Sequence, residues 1–467
     1  MASEAFPSGL SQSKMLELLG DTRALKEAFE AGDLPAVAAM LQSTLHSLEN
    51  VRLDIGVTGG TGSGKSTFVN AIRGLGDEDP TSACTGVVEM TMAPTPYLHP
   101  KYPNVIIWDL PGIGAPAFQA DKYVQRVLLD RYDFLLLLTS ESFTANHARL
   151  AREILQQGKR FYCVRSKVDV DIAASRSRRP SSFSEERVLS QIRDDCVQRL
   201  EAEGLKDPKV FLLSMFELGK YDFDLLEEAM VRGLESHKRH AFLMALPNVS
   251  KPTLERKAAS LRKHIWLVAT VACGANPSPV PGVPEVACDL FLLTHSLEGY
   301  RHSLGLDQHS LIRLAGHTGR PLHKILEALH DPKTKVTEAL VAERLGQASG
   351  DASAFSQELL NVPILGPLAA CGLSFATVYR MLRTSLDMAV RDAENVLLQA
   401  FPDNPDPDCK LLGEPDQGPQ LGGEDRGREG GRAGPLKTCP APGFSHGTCN
   451  FTSVPGPALG DAGDAEK

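Results

Sequence analysis

A glycine-rich run near residue 60 constrains the fold of this chain more than any other feature of its sequence. Gly59-Gly60-Thr61-Gly62-Ser63-Gly64-Lys65-Ser66 fits the pattern G-x-x-x-x-G-K-[ST]. It follows the apolar, β-rich run Leu53–Val57 and precedes a helical pattern. A strand, a loop of this kind and a helix direct backbone N–H groups and the positive end of a helix towards phosphate groups. The run therefore predicts a phosphate-binding loop in an α/β domain.

The residues of this loop have distinct expected roles. We expect the Lys65 ammonium to reach the β- and γ-phosphates of a nucleotide and the Ser66 hydroxyl to ligate Mg²⁺. Both are therefore candidate catalytic residues. The full set expected to contact the phosphates is Gly59, Thr61, Gly62, Ser63, Gly64, Lys65, Ser66 and Thr67.

A second motif ends the β-rich run Val105–Trp108. Asp109-Leu110-Pro111-Gly112 fits D-x-x-G. We expect Asp109 to hold Mg²⁺ through water and the Gly112 N–H to bind the γ-phosphate, which makes Gly112 a candidate catalytic residue. Taken alone, the motif is better interpreted as a strand that ends in a Pro-Gly turn.

A third motif predicts which base is bound. The strand pattern Phe161–Val164 leads into Ser166-Lys167-Val168-Asp169, a variant of [NT]-K-x-D. The Asp169 carboxylate can accept two N–H bonds from the guanine edge, and adenine lacks the N1–H that one of them needs. The Lys167 stem covers the base, whereas Ser166 is expected to brace the phosphate loop less well than Asn or Thr.

A fourth element follows the strand pattern Val210–Leu213. Ser214 stands where GTPases place a short base-contacting loop, although Met215 replaces the common alanine. Four elements in this order, each at the carboxyl end of a strand, predict GTP or GDP as the ligand together with Mg²⁺.

The segment Asp77–Pro96 is the candidate switch between the phosphate loop and Asp109. Its threonines are Thr81, Thr85, Thr91 and Thr95. Thr85 lies 20 residues beyond Lys65 and is the favoured additional Mg²⁺ ligand and catalytic candidate. Thr91 is its main rival.

The residue after D-x-x-G bears on catalysis. Ile113 occupies the position where Ras-like GTPases carry a glutamine that orients the attacking water. We therefore expect slow intrinsic hydrolysis that needs a group from elsewhere, such as a second copy of the chain. Glu89 is one candidate for orienting water across that interface, and a solvated loop glutamate is an equally good interpretation.

Composition limits the partners and the compartment. The 467 residues carry a net charge of −9, which leaves no basic excess for a nucleic-acid partner. Nine cysteines without a CxxC pair indicate reduced thiols. The N-terminus lacks a signal-peptide pattern, and Ala2 stands where N-myristoylation requires glycine. We expect a cytoplasmic protein that is not secreted.

The periodicity of apolar residues changes twice along the chain. Alternating strand and helix patterns predict a mostly parallel sheet with helices on both faces, a P-loop GTPase domain at residues 50–235. Residues 10–49 and 236–400 show helical patterns, with a Pro-rich joint at Asn276–Pro284 and a helix from residue 285. We expect these helices, from both chain ends, to form one all-α domain. Residues 401–467 have the composition of a disordered, acidic, Pro/Gly-rich tail.

Two apolar stretches bear on membrane contact. Ile265–Ala275 is too short to span a bilayer. Val362–Met381 is longer but holds two prolines and Arg380, so a buried helix is the preferred interpretation. Reversible peripheral association through a helix such as Ser356–Leu386 is the alternative.

The chain resembles the immunity-related (interferon-inducible) GTPase family over about residues 10–400, and with its loop lysine the GKS class of that family. The segments that carry the resemblance are Gly59–Ser66, Thr85–Met92, Trp108–Gly112, Ser166–Asp169 and Leu290–Gly305. The resemblance implies a dynamin-like G domain on a helical domain, nucleotide-dependent dimers or oligomers, and hydrolysis activated within the dimer. It also implies action at intracellular or pathogen-containing membranes, although Ala2 and the acidic tail depart from the family pattern.

Two other functions compete with this one. The first is a slow GTP-dependent switch or scaffold, such as a cytoskeletal partner, without an antimicrobial role. The second is a GTP-binding structural subunit that has lost turnover. Lys65, Ser66, Asp109 and Asp169 are all present, and this favours hydrolysis over occupancy alone.

Overall fold

The structure is a computed structural model, and it describes residues 27–28, 31, 33–86, 91, 93–113, 119–274, 277–330, 335–359 and 372–401. All of them belong to one unit, Met1–Pro405. The expectations for most of the first N-terminal helix, for Glu89 and for the tail beyond Phe401 lie outside the described residues.

A six-stranded sheet contains the apolar runs that the sequence predicts to be strands. The strands are β1 (Leu53–Gly59), β2 (Thr95–Leu98), β3 (Val105–Gly112), β4 (Phe134–Thr139), β5 (Phe161–Arg165) and β6 (Val210–Leu212). They lie in the order β2-β3-β1-β4-β5-β6. Every neighbouring pair is parallel except β2 with β3, so the mostly parallel sheet is confirmed.

The apolar pattern of the sequence did not predict the antiparallel strand β2. It has four residues, includes Pro96, and its positions alternate between half-buried and exposed. An edge strand tolerates proline because one side of its backbone has no strand partner. β2 pairs Thr95 with Asp109, and this register places the end of the switch segment beside the D-x-x-G motif.

Helices cover both faces of the sheet. They are α2 (Lys65–Ile72), α3 (Ala120–Val127), α4 (Ala145–Gln156), α5 (Val168–Arg178), α6 (Glu185–Ala202) and α7 (Phe223–Gly233), numbered after an N-terminal helix α1 (Leu34–Asn50). Every residue of β1 and of β4 is buried, as expected of parallel strands covered on both sides. Ile55 packs with Phe68 in one core cluster, and Leu137 packs with Ile154 in the other.

The helices that follow the sheet pack together with α1. They are α8 (Ser236–Ala245), α9 (Lys251–Gly274), α10 (Leu290–Ser303), α11 (Gln308–Thr318), α12 (Leu322–Leu326), α13 (Glu338–Leu359) and α14 (Gly372–Ala400). The 24-residue helix α9 contacts α1, α10 and α14, so helices from both chain ends share one core. That core continues onto the sheet through Leu53, Ile55 and Phe242. The boundaries expected at residues 50 and 235 therefore remain predictions.

A β-hairpin replaces the expected Pro-rich joint. β7 (Ser278–Val280) and β8 (Val283–Cys288) pair antiparallel, so the prediction of helices alone after residue 236 was wrong in this segment. Pro281-Gly282 joins the strands, and Gly282 has a φ of 82°. Proline followed by a glycine of positive φ suits a type II turn. Helix α10 begins later than expected, where the Asp289 carboxylate accepts the Leu292 N–H at 3.0 Å.

The second apolar stretch lies partly in α14. Phe375, Val378 and Met381 of this helix are buried in the helical core, which supports the buried-helix interpretation for the described part. Among the helices of the described ranges, none is long and apolar enough to cross a membrane.

Candidate nucleotide-binding site

The glycines of the loop after β1 adopt conformations that other residues rarely adopt. Gly59 has a φ of 143°, and a Cβ built there would lie 2.0 Å from the Leu138 carbonyl oxygen. Gly64 has a φ of 84° and caps the N-terminus of α2. The loop therefore depends on glycine for both close packing against β4 and entry into the helix.

Lys65 and Ser63 are both buried in this loop. The Lys65 ammonium donates a hydrogen bond of 3.1 Å to the Gly60 carbonyl and is 8% exposed. The buried Ser63 hydroxyl has no hydrogen-bond partner within the described part of the chain. A cation and an orphaned hydroxyl at the positive end of a helix fit a phosphate-bearing ligand.

Three side chains converge where Mg²⁺ is expected. The hydroxyls of Ser66 and Thr91 donate hydrogen bonds of 2.6 Å and 2.8 Å to Asp109 Oδ2. Asp109 is 1% exposed, and its other oxygen, Oδ1, has no hydrogen-bond partner among the described residues. Two hydroxyls and a carboxylate with an unused oxygen are hard oxygen ligands of the kind that Mg²⁺ takes. The residues therefore fit the expected metal.

The structure brings Thr91, rather than the favoured Thr85, to this carboxylate. The Asn70 side chain bonds both the N–H and the carbonyl of Ala83, at 2.7 Å and 3.0 Å, and holds this part of the switch beside the second half of α2. Thr85 follows two residues later and is exposed. Thr91 precedes β2 by four residues, and the pairing of β2 with β3 carries it to Asp109.

Ser166 braces the phosphate loop in spite of its short side chain. Its hydroxyl lies 2.7 Å from the Ser63 carbonyl and 3.1 Å from the Thr139 carbonyl, and the residue is fully buried. The contact with Ser63 joins the two loops directly, and the single hydroxyl hydrogen is shared between two carbonyls. The weaker brace expected from serine remains a prediction.

The base-recognition loop has a second brace that the sequence analysis missed. Lys167 is exposed with a φ of 59°, and Asp169 is half-buried in the first turn of α5. The Arg165 guanidinium, at the end of β5, bonds the Ser166 carbonyl and the Asp171 carboxylate. A lone arginine at the end of an apolar strand, followed by an aspartate six residues later, was the available signal.

Ser214 lies beside this loop but shapes its own turn. Its buried hydroxyl accepts the N–H groups of Phe216 and Glu217 at 3.3 Å and 3.2 Å. The Val168 N–H donates to the Leu213 carbonyl at 3.4 Å, so the two expected base-contacting loops adjoin each other.

The D-x-x-G segment is held against β1. Gly112 pairs with Gly59, and the Ile113 N–H donates to the Gly59 carbonyl at 3.1 Å. The Ile113 side chain is 1% exposed and belongs to the core, so it does not face a reacting water. The Tyr123 hydroxyl donates to the Pro111 carbonyl at 2.8 Å and lies 2.5 Å from Thr58 Oγ1. Sequence reasoning missed Tyr123, which lies in a short amphipathic helix without a motif.

His147 is a further neighbour that sequence reasoning missed. A Cβ on Gly60 would lie 3.6 Å from His147 Nε2. Burial lowers the pKa of His147 to about 4, and the positive charge of Lys65 contributes to the lowering. The imidazole beside the phosphate loop is therefore neutral at physiological pH.

Together, the parallel sheet, the loop between β1 and α2, the D-x-x-G carboxylate and the S-K-x-D loop define a P-loop GTPase domain. Residues 19–400 match the family model described as Interferon-inducible GTPase (IIGP). The chain belongs to the interferon-inducible GTPase family, a family of GTP-hydrolysing enzymes, as the resemblance implied.

Three relatives illustrate this similarity. The chain is 42% identical over 436 residues to interferon-inducible GTPase 5 of Bos taurus, and the match covers 91% of this chain and 93% of the relative. It is 44% identical over 386 residues to the Rattus norvegicus protein of the same name, with 82% of each covered. It is 35% identical over 373 residues to interferon-gamma-inducible GTPase 10 of Mus musculus, with 80% and 87% covered.

Two solved structures are similar to this chain at low sequence identity. A GTP-binding protein from Sulfolobus solfataricus in complex with GDP is 16% identical, with a TM-score of 0.24, over 47% of this chain and 65% of that one. Era in complex with MgGDPNP and ribosomal RNA is 18% identical, with a TM-score of 0.25, over 51% and 76%.

Proposed function

We propose that the protein binds GTP with Mg²⁺ at the Asp109 carboxylate, hydrolyses the γ-phosphate, and turns over faster when copies of the chain associate. The observation that carries the proposal is the convergence of Ser66 and Thr91 on Asp109 Oδ2 while Asp109 Oδ1 stays unpaired. When bound, Mg²⁺ would neutralise charge on the β- and γ-phosphates.

The protein residues position the phosphates. Lys65 would exchange its bond to the Gly60 carbonyl for phosphate oxygens, which keeps a buried cation paired throughout. The Gly112 N–H would bind the γ-phosphate. Ser66, Thr91 and Asp109 would hold Mg²⁺, and through Thr91 the end of the switch segment would be linked to the bound nucleotide.

Guanine would be selected by Asp169, with Lys167 over the base and Ser214 shaping the adjoining loop. The direct bond from Ser166 to the phosphate loop would transmit base binding to Ser63 and its neighbours. GDP would bind through the same contacts, apart from those of the γ-phosphate.

Self-association is proposed because the aliphatic side chain of Ile113 cannot orient a water molecule. Ile113 is buried in the core, so a second copy is the proposed source of the missing group, with Glu89 as the candidate. We also propose peripheral action at intracellular membranes from the cytoplasmic side. The competing function is a slow GTP-dependent switch or scaffold. The measurement described next separates this function from hydrolysis activated by self-association.

The test is GTP turnover per molecule of purified protein over a wide range of protein concentrations. Turnover per molecule that rises with concentration supports activation by self-association. A flat and slow rate with tight binding supports the switch or scaffold. Lys65→Ala is the control for contaminating activity, and absence of both binding and turnover in the wild type would overturn the proposal.

A further inference from the structure

A cleft of about 1080 Å³ lies between helix α2 and the helices that follow the sheet, and Thr67 is the one expected nucleotide-binding residue among those that line it. Thr67 and Ala71 of α2 line one part of it, and Met215–Lys220 after β6 line another. The segment between α8 and α9, helix α11 and the end of α14 complete the wall. The cleft therefore adjoins both the helix that follows the phosphate loop and the expected base-contacting loop after β6.

The lining of this cleft is basic although the chain has a net charge of −9. Two acidic residues, Asp77 and Glu217, face it. The basic residues are Arg73, Lys101, Lys220, Lys257, Arg313 and Arg320.

Two of these cations are paired with carboxylates that lie beyond the lining. Lys101 Nζ is 2.7 Å from Asp307 Oδ2, and Arg313 Nη2 is 3.1 Å from Asp79 Oδ2. Five of the six cations, set against the two lining acids and these two carboxylates, leave an excess of one positive charge. Lys257, whose pKa is lowered by burial to about 7, adds part of a second charge. A phosphate monoester carries roughly −1.5 to −2 charges at pH 7 and is therefore complementary in sign to this excess.

Arg73 supplies an unused donor. It is 5% exposed, its Nε donates to the Leu98 carbonyl at 3.1 Å, and its Nη2 donates to the Thr81 carbonyl at 3.0 Å. Its Nη1 is buried and has no hydrogen-bond partner in the described ranges. A buried guanidinium N–H without an acceptor is costly, and an anionic oxygen would supply a strong one.

Asn248 supplies an unused acceptor in the same cleft. Its Nδ2 donates to the Ser303 carbonyl at 3.3 Å, which assigns Oδ1 as the free oxygen, and that oxygen is buried without a partner among the described residues. A ligand hydroxyl would satisfy it. We propose that the cleft binds a small phosphorylated polyol, with phosphate at Arg73 and a hydroxyl at Asn248.

The proposed site is coupled to the nucleotide through α2. This helix begins with Lys65 and Ser66 and ends at Arg73, its C-cap. A ligand held at Arg73 therefore contacts the far end of the helix that presents the expected phosphate and metal ligands. Its affinity should differ between GDP and a GTP analogue, and by linkage it should change nucleotide affinity by the same factor.

The test measures binding of free inositol monophosphate to full-length protein saturated with GDP, so that the phosphate loop is not available to the probe. Wild type should bind at one site by calorimetry. Arg320→Glu, an exposed lining residue, should weaken binding by about tenfold or more, because it reverses a charge at the site. Arg232→Glu makes the same charge change on an exposed side chain outside the cleft and should leave binding unchanged.

Arg73→Gln should abolish binding of the probe. If this variant does not fold, the result for Arg320→Glu decides whether the proposed site exists. Vesicles containing phosphatidylinositol 4-phosphate, which presents one phosphate monoester, separate a membrane headgroup from a free metabolite. Binding to these vesicles alone would assign the phosphate to a lipid. A fluorescent GDP titration run in parallel detects any failure of nucleotide binding separately. The proposal is overturned if neither probe binds, or if the Arg320 and Arg232 variants weaken binding equally.

Discussion

Thr91 and Asp109 are joined by a hydrogen bond of 2.8 Å although 18 residues separate them. The bond exists because β2 and β3 pair antiparallel and place Thr95 opposite Asp109. An edge strand that is short and contains proline thus decides which threonine of the switch segment meets the carboxylate.

Thr91→Ala should lower GTP turnover and raise the Mg²⁺ concentration needed for half-maximal rate, each by about tenfold or more, because a direct oxygen ligand is lost. A Mg²⁺ titration of turnover measures both effects. Thr85→Ala is the matched control and should change little. The reverse ranking of the two variants would restore Thr85 as the metal ligand.

Ser166→Ala should weaken GDP binding by roughly tenfold, because the Ser63 carbonyl loses a buried hydrogen bond and the phosphate loop loses its brace. Fluorescent GDP displacement measures the affinity. Ser181→Ala, at an exposed position, provides the comparison. Equal affinities for the two variants would show that the brace does not contribute.

Tyr123→Phe should destabilise the fold by about 1–3 kcal/mol, because it leaves the buried Thr58 hydroxyl and the Pro111 carbonyl without their partner. Denaturant unfolding measures the change. The double variant Thr58→Val with Tyr123→Phe should be less destabilised than the sum of the two single variants, since both polar partners are gone. Strict additivity would argue against the contact.

Lys257 should make stability depend on pH. Burial lowers the pKa of this lysine to about 7, with the positive charge of Lys101 adding to the lowering and Glu227 opposing it. An unfolded lysine titrates near 10.4, so the unfolded state holds more protons between these values, and stability rises with pH across this window. The rise from this residue is at most about 1.4 kcal/mol per pH unit.

The measurement is the free energy of unfolding from pH 7 to pH 9 for wild type and for Lys257→Met. The variant should show a flatter rise, whatever its absolute stability, because Met carries no titrating group. Lys206→Met, at an exposed position, should keep the wild-type slope. Parallel curves for wild type and Lys257→Met would contradict the assignment.

The sequence predicted those parts of the fold that local patterns encode. The five parallel strands carry continuous apolar runs, and the spacing of residues from Gly59 to Ser66 is specific to phosphate-binding loops. β2 was missed because its pattern is short and half-polar, and the β7–β8 hairpin because Pro281-Gly282 also fits a simple joint. A left-handed Gly319, two residues before Pro321, separates α11 from α12.

The remainder of the site depends on contacts between distant segments. The choice between Thr91 and Thr85 follows from the register of β2 and from the Asn70 side chain, neither of which has a motif. Tyr123 reaches Thr58 across 65 residues, and periodicity along the chain cannot report such a pair. The roles expected for the loop, base and metal residues remain predictions that the variants above address.

The packing of both chain ends against α9 has a consequence for biosynthesis. Helix α1 leaves the ribosome early, but its partner α9 is completed only at Gly274, and α14 ends at Ala400. The apolar face of α1 therefore stays without its native contacts, covered by chaperones or by transient contacts, until most of the chain has been translated. Truncated products that stop before α14 would leave the face of α9 that packs on α14 uncovered, and they should be cleared or aggregate instead of persisting as smaller GTPases.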